Sequence, residues 1–251
     1  MLFNTTEFLL FFVTVLVVYW ILPSKIRYIW LLLTSYFFYS RWNQKYCLLL
    51  MFVTLIAYTG GIIIQKIHEL SSTILVVCLI LCLGVLGIFK YLNFGIQTVN
   101  RILVLTGSDP VLWTSSLVLP VGISFFTLQA VGYIIDVYRG DTYAEKNIIR
   151  FALFISFFPQ LVAGPIERSK SLLKQLGSQK EFSYDNLKKG LLMILWGLYL
   201  KIVIADRAAI FVDAVYGDYQ KYGGLYIILA TVLFSIQIYC DFHGFSGDWQ
   251  R

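Results

Sequence analysis

The feature that most constrains the fold is a succession of apolar runs that can enter a lipid bilayer. The runs Phe8–Leu22, Tyr46–Ile64 and Gly224–Cys240 contain no charged residue. A spanning helix needs about 20 predominantly apolar residues. Because the bilayer core offers no water to backbone amides and carbonyls, spanning segments of this kind must be helical. The sequence therefore predicts an all-α fold, a polytopic transmembrane helical bundle, with residues 1–251 as a single membrane domain.

Composition agrees with this prediction. The 251 residues are 59% hydrophobic and 14% charged, with a net charge of +6, whereas soluble domains carry about 25% charged residues. We assign the positive charge to cytoplasmic loops beside anionic lipid head groups, so membrane lipid is an expected partner and nucleic acid is not. The cysteine pattern lacks the spacing of a zinc site, and no metal is expected. The predicted location is the plasma membrane, with several passes.

One stretch, Leu117–Arg139, is apolar enough for a membrane yet carries polar groups. Charged side chains facing lipid are costly, so they are expected in a bundle interior, a wet cavity or the interface. Asp136 and Arg139 are three residues apart and can meet on one helix face, either as an interfacial ion pair or as the charged mouth of a cavity. Gln129 lies two turns before Asp136 on that face. A buried glutamine needs a partner, either on a neighbouring helix or on a substrate carbonyl.

The next run, Phe151–Ile166, is predicted to be re-entrant. It is shorter than the roughly 20 residues of a spanning helix, and it contains Pro159 and Gly164-Pro165. Basic residues flank it on both sides, so a span would place one basic flank outside. Irregular backbone at membrane depth is tolerated where it is buried in protein or lines a cavity. Pro159 and Gln160 are therefore expected to border a hydrated funnel.

The last third of the chain adds a few ionisable residues. Lys201, Asp206 and Arg207 follow an apolar helix, and we expect structural roles near the interface. His243 stands two residues after Asp241 and three before Ser246. Residues at i and i+2 do not face each other on a helix. His243 is therefore kept only as an alternative candidate for a catalytic base.

Four blocks resemble the membrane-bound O-acyltransferase family, close to the bacterial alginate O-acetyltransferases and D-alanyl teichoic-acid transfer proteins. They are PVGISFFTLQAVGYIIDVYRG (120–140), FFPQLVAGPIER (157–168), KIVIADR (201–207) and QIYCDFHGFS (237–246). The resemblance implies a helical bundle with re-entrant segments around a funnel. It implies acyl transfer from a cytoplasmic thioester donor, acetyl-CoA or an acyl-carrier protein, to an extracytoplasmic polysaccharide or cell-wall polymer. It also implies an extracytoplasmic esterase-like or polymer-binding partner and no bound cofactor.

The chain departs from the family pattern at its catalytic block. The family's active-site histidine lies in a Trp-His segment beyond a DFSGYSD-like motif. No such segment occurs here, and position 243 is His where Ser is usual. The resemblance therefore implies an N-terminal part of the fold, inactive alone and without a catalytic residue of its own. The residues expected to line the substrate path are Gln129, Asp136, Arg139, Pro159, Gln160 and Asp241.

Two other functions remain open from the sequence. A transporter or flippase also needs broken helices and a midplane cavity, often in inverted repeats, and the chain shows no internal repeat. A non-catalytic scaffold for an acyl-transfer complex would bind an acyl carrier or an extracytoplasmic partner through the basic region 139–189. Substrate uptake without acyl transfer would favour the transporter, and crosslinking without turnover would favour the scaffold.

Overall fold

The computed structural model describes residues 5–107, 109, 120–161, 169–177 and 181–246, with side chains up to residue 241. Throughout these ranges the regular structure is helical, which confirms the all-α prediction. The helices are α1 (Thr6–Ile21), α2 (Arg27–Ser40), α3 (Gln44–Lys66), α4 (Ser71–Leu105), α5 (Ile123–Arg139), α6 (Ile148–Ser156), α7 (Phe158–Leu161), α8 (Ser169–Gly177), α9 (Tyr184–Tyr199), α10 (Asp206–Gly217) and α11 (Gly224–Ser246). A π-helical segment, Leu200–Ala205, joins α9 to α10, and 3₁₀ turns occupy His68–Leu70 and Tyr219–Lys221.

Three segments are long and apolar enough to cross a membrane: Gln44–Lys66, His68–Leu105 and Gly224–Asp241. Large apolar side chains on them stay exposed, for example Ile80 and Ile228, each at 65%. Contiguous apolar surface of this extent marks contact with lipid or with another protein. The chain is therefore a membrane protein.

The described residues fall into two compact units. Unit 1 contains residues 5–21 and 181–246, and unit 2 contains residues 22–107, 109, 120–161 and 169–177. A single membrane domain over residues 1–251 remains a prediction.

The core of unit 2 forms where α3 and α5 approach closely and α6 packs beside them. A Cβ added to Gly61 on α3 would lie 2.8 Å from Cε1 of Tyr133 on α5, so glycine permits this approach. The Tyr133 ring lies 4.6 Å from that of Phe151 on α6. Phe151, Leu153, Phe154 and Ile155 are at most 1% exposed. Helix α6 is therefore buried in the core of unit 2.

Unit 1 is built from α9, the π-helical segment, α10 and α11, together with α1. The side chain of Ser183 caps α9 by accepting from Asn186 N. Near this cap the rings of Trp20 and Phe182 meet edge to face, with centroids 5.2 Å apart. At the end of the π-helical segment, Asp206 N donates to the Lys201 carbonyl oxygen. That i+5 to i bond defines a π turn, which is rare and often occurs at functional sites.

Candidate functional site

The predicted interruption of the short apolar run is present, and it falls at Phe157. Helix α6 ends at Ser156, Phe157 adopts ψ 110°, and the chain resumes as α7. In a continuous helix Phe158 N would donate to the Phe154 carbonyl. Both groups find partners on neighbouring helices instead. Phe158 N donates to Ser35 Oγ at 3.2 Å, and the Phe154 carbonyl oxygen accepts from Gln129 Nε2 at 2.9 Å.

Gln129 thus satisfies its buried amide nitrogen through a neighbouring helix, the first of the two partners considered from the sequence. Its residue exposure is 7%. Next to the break, Pro159 and Gln160 are half-buried. The Oε1 atom of Gln160 is buried and has no hydrogen-bond partner among the described residues. Gln129 therefore holds the broken helix in place, while Gln160 keeps a polar oxygen that the described fold does not use.

The broken helix also contacts the start of α5 directly. Gly122 adopts φ +79°, a left-handed conformation that glycine tolerates and other residues rarely adopt. A Cβ at this position would overlap the carbonyl oxygen of Leu161, the last residue of α7. Gly122 therefore allows the start of α5 to pack closely against the end of α7.

Helix α8 returns to the end of unit 2 at which α6 began. Its first residue, Ser169, donates Oγ–H to Asp136 Oδ2 at 2.5 Å, in the last turn of α5. At its other end, a Cβ on Gly177 would lie 3.3 Å from Arg150 Nη1, in the first turn of α6. The guanidinium of Arg150 thus lies at the negative end of the α8 dipole. The start of α6 and the end of α8 are therefore adjacent in unit 2. A re-entrant path through the membrane remains a prediction.

Asp136 and Arg139 do not form the predicted ion pair. Asp136 is half-buried and bonded to Ser169, whereas Arg139 is exposed. Within the described part of the chain no contact within 4 Å joins their charged groups. The reason is that α8 supplies a closer donor to the carboxylate. Of the two interpretations, the interfacial ion pair is wrong, and a charged mouth remains a prediction.

A second polar cluster lies in unit 1, where one lysine bridges two carboxylates. Lys201 Nζ is 2.9 Å from Asp206 Oδ1 and 2.8 Å from Asp241 Oδ1. The three side chains are partly exposed, at 25%, 42% and 29% in that order. One positive and two negative charges leave the cluster with a formal charge of −1. The cluster fixes the π-helical segment and the start of α10 to α11.

The residues that were predicted to share a path are distributed over both units. Gln129, Asp136 and Arg139 lie on α5, and Pro159 and Gln160 on α7, all in unit 2. Asp241 lies on α11 in unit 1, with Lys201 as its partner. His243 belongs to α11 by its backbone, but its side chain lies outside the described residues, as do Gly164 and Pro165.

The sequence did not predict contact between Lys201 and Asp206, because they are five residues apart. On an α-helix, residues five apart point about 140° away from each other. The π-helical winding brings residue i+5 above residue i, so the two side chains meet. A lysine inside the apolar run WGLYLKIVIADR was the available signal, since an ionisable residue there needs a nearby partner.

The fold defines an all-α membrane protein with a buried, broken helix, compatible with the class that the sequence blocks implied. Comparison with known proteins confirms the resemblance to the membrane-bound O-acyltransferases. The chain is 36% identical to the probable alginate O-acetylase AlgI of Pseudomonas aeruginosa, over 98% of this chain and 48% of that protein. It is 30% identical to the peptidoglycan O-acetyltransferase of Helicobacter pylori, over 98% of this chain and 52% of that protein.

A more distant match is the teichoic acid D-alanyltransferase of Streptococcus thermophilus, at 24% identity over 84% of this chain and 53% of that protein. No family model matches the chain. The chain spans about half the length of the curated relatives it matches.

Proposed function

We propose that this chain is part of a membrane O-acyltransferase that transfers an acetyl group to an extracytoplasmic polysaccharide or cell-wall polymer. The observation that carries the proposal is the alignment of 98% of the chain with proteins named alginate O-acetylase and peptidoglycan O-acetyltransferase. Because the chain covers about half of those relatives, the transfer is proposed for the whole protein. The chain alone is proposed to be inactive, since neither His68 nor His243 stands in a Trp-His block.

In this proposal the broken helix borders the substrate path. The half-buried Gln160, with an oxygen that no described residue binds, is offered to a substrate hydroxyl or amide. Arg139 and Asp136 lie at the end of α5, at the mouth of the path. Gln129 acts through the backbone of α6 and keeps the break open. Fixed polar groups position a reactant without reorganising during the reaction.

The donor is proposed to be a thioester, acetyl-CoA or an acyl-carrier protein, that approaches from the cytoplasm. The acceptor lies on the other side of the plasma membrane, where an esterase-like or polymer-binding partner receives or directs the acetyl group. Transfer forms an ester between the acetyl carbon and a polymer hydroxyl oxygen, and it releases the donor thiol. A base must accept the hydroxyl proton, and the resemblance places that histidine outside the four blocks present here.

Deletion of the chromosomal locus that encodes the chain tests the proposal. The measurement is the ester-bound acetate per sugar in purified extracellular polysaccharide and in peptidoglycan, by proton NMR before and after mild alkaline hydrolysis. We expect loss of acetate from one polymer, which would identify the acceptor, and recovery on complementation. Unchanged acetate in every polymer fraction would contradict the proposal.

The purified chain provides a separate test of its inactivity alone. In proteoliposomes with labelled acetyl-CoA and the polymer identified by the deletion, we expect no ester formation. Turnover by these 251 residues alone would show that the proton acceptor lies within them. Uptake of polymer or donor without transfer would indicate the transporter instead.

A further inference from the structure

One end of unit 2 gathers basic side chains from several elements. These exposed residues are Lys66 at the end of α3, Arg139 at the end of α5, Lys146 just before α6, and Lys170 and Lys174 on α8. We call this surface the basic end.

Hydrogen bonds tie the elements of the basic end together. Gln65 Oε1, beside Lys66, accepts from Ala144 N at 2.9 Å. The hydroxyl of Tyr58 donates to the Lys146 carbonyl oxygen at 2.7 Å. Helix α8 is attached by the Ser169–Asp136 bond. Basic residues distant in the sequence therefore share one surface of a rigidly connected unit.

The lysines of α8 face away from the protein core. Leu172 and Leu173 are 6% and 8% exposed and pack into the core of unit 2. Lys170 and Lys174 are exposed and one turn apart on the opposite side of the helix. The apolar face of α8 is buried against unit 2. Its charged face is therefore the one exposed to the surroundings of unit 2.

Acidic groups at this end do not neutralise the exposed lysines. Glu145 pairs with Arg150, with 3.6 Å between Oε2 and Nη1, and Asp136 accepts from Ser169. Among the described residues, the exposed carboxylates at this end are Glu69 and Asp141, against the five exposed basic residues of the basic end. The surface therefore has an excess of positive charge.

Exposed tyrosines accompany the charges. Tyr138 and Tyr143, between α5 and α6, are 43% and 85% exposed. Tyrosines mixed with lysine and arginine are typical of the head-group level of a bilayer. Helix α3 is about 34 Å long, close to the roughly 30 Å of a hydrocarbon core, so a span by α3 would place Lys66 and Lys45 near opposite interfaces.

We propose that the basic end binds the phosphate groups of anionic phospholipids in the leaflet that surrounds it. Lys170, Lys174, Lys146 and Lys66 contact the head groups. The combination of positive charge, exposed tyrosines and adjacent apolar helices favours a lipid surface over a soluble acidic protein. A juxtamembrane lysine contributes roughly a fivefold gain in affinity for an anionic leaflet.

The test compares matched charge removals in the full 251-residue chain. One variant is Lys170→Gln with Lys174→Gln, on α8. The control is Arg41→Gln with Lys45→Gln, which removes the same charge at the other end of α3, also from exposed side chains. A third variant adds Lys66→Gln and Lys146→Gln to the first. Helical content and elution from a sizing column check that each variant is folded.

The measurement is retention of phosphatidylglycerol by the detergent-purified chain, titrated and counted by native mass spectrometry. Phosphatidylcholine is the neutral probe. We expect about 25-fold weaker phosphatidylglycerol binding for the α8 pair, at roughly fivefold per charge, a further loss in the four-charge variant, and little change in the control. Binding should also fall as salt rises, because exposed charges are screened.

Other results overturn the proposal. Equal loss in the α8 pair and in the control would show that any surface lysine suffices. Free coenzyme A or inorganic phosphate that displaces phosphatidylglycerol at equal concentration would identify a soluble phosphate site. Unchanged lipid retention, combined with lost binding of an acidic carrier protein, would identify a protein-docking surface.

Discussion

Replacement of Gln129 by methionine tests whether this residue supports the broken helix. Methionine has a similar length and fills the same space, but it cannot donate to the Phe154 carbonyl, which Gln129 Nε2 reaches at 2.9 Å. A buried carbonyl left without its donor costs about 1–3 kcal/mol. Interhelical hydrogen bonds in membranes average nearer 0.6 kcal/mol, because the unfolded chain also finds partners. We therefore expect a loss of about 1 kcal/mol.

The assay is the thermal midpoint of the purified chain in detergent, at one fixed scan rate because membrane proteins often unfold irreversibly. For a chain of this size, 1 kcal/mol corresponds to about 2–4 °C. Ser35→Ala, which leaves Phe158 N without its acceptor, should lower the midpoint by a similar amount.

Thr127 supplies the matched control on the same helix. It is fully buried, and its hydroxyl has no hydrogen-bond partner among the described residues. Thr127→Val keeps the shape and removes an unsatisfied group, so the midpoint should stay the same or rise. A drop for Thr127→Val as large as that for Gln129→Met would refute the assignment, since general repacking of α5 would then explain both.

Three further predictions follow from other contacts. Gly122→Ala should lower the thermal midpoint by several degrees, because it strains a left-handed residue and overlaps the Leu161 carbonyl; a change within error would contradict that fit. Lys201→Met should cost about 1–2 kcal/mol, discounted for partial exposure, and more than Asp241→Asn, which leaves one ion pair intact; the opposite ranking in thermal midpoints would count against a bridging lysine. Single cysteines at Glu145 and Lys170 should react with a membrane-impermeant maleimide from the same side of sealed vesicles, and labelling from opposite sides would exclude the re-entrant path.

The broken helix was predictable because its cause is local. Pro159 lacks an amide hydrogen, so it cannot continue the hydrogen-bond ladder of α6. The partners of the freed groups were not predictable, because Ser35 is 123 residues away from Phe158. A buried glutamine predicts a hydrogen-bond partner, but the sequence does not identify that partner.

The sequence also could not predict that α6 is buried by protein rather than by lipid. Phe151, Phe154 and Ile155 would be equally suitable against lipid or against protein, since both environments are apolar. Hydrophobic periodicity separates core from water, and it loses that power in a bilayer. The structure resolves the question through aromatic contacts to a neighbouring helix, such as the 4.6 Å between the rings of Phe151 on α6 and Tyr133 on α5.

The ion-pair cluster of unit 1 shows how backbone winding decides which charges meet. Lys201 and Asp206 are brought together by a π turn, and Asp241 joins them from 40 residues further along the chain. If the segment Leu200–Ala205 were α-helical, Asp206 would turn away from Lys201, and the lysine would keep only Asp241. The π turn therefore gives the lysine its second carboxylate, and the second ion pair in turn favours the π winding. This reciprocity accounts for a six-residue π segment where an ordinary helix would leave one carboxylate unpaired.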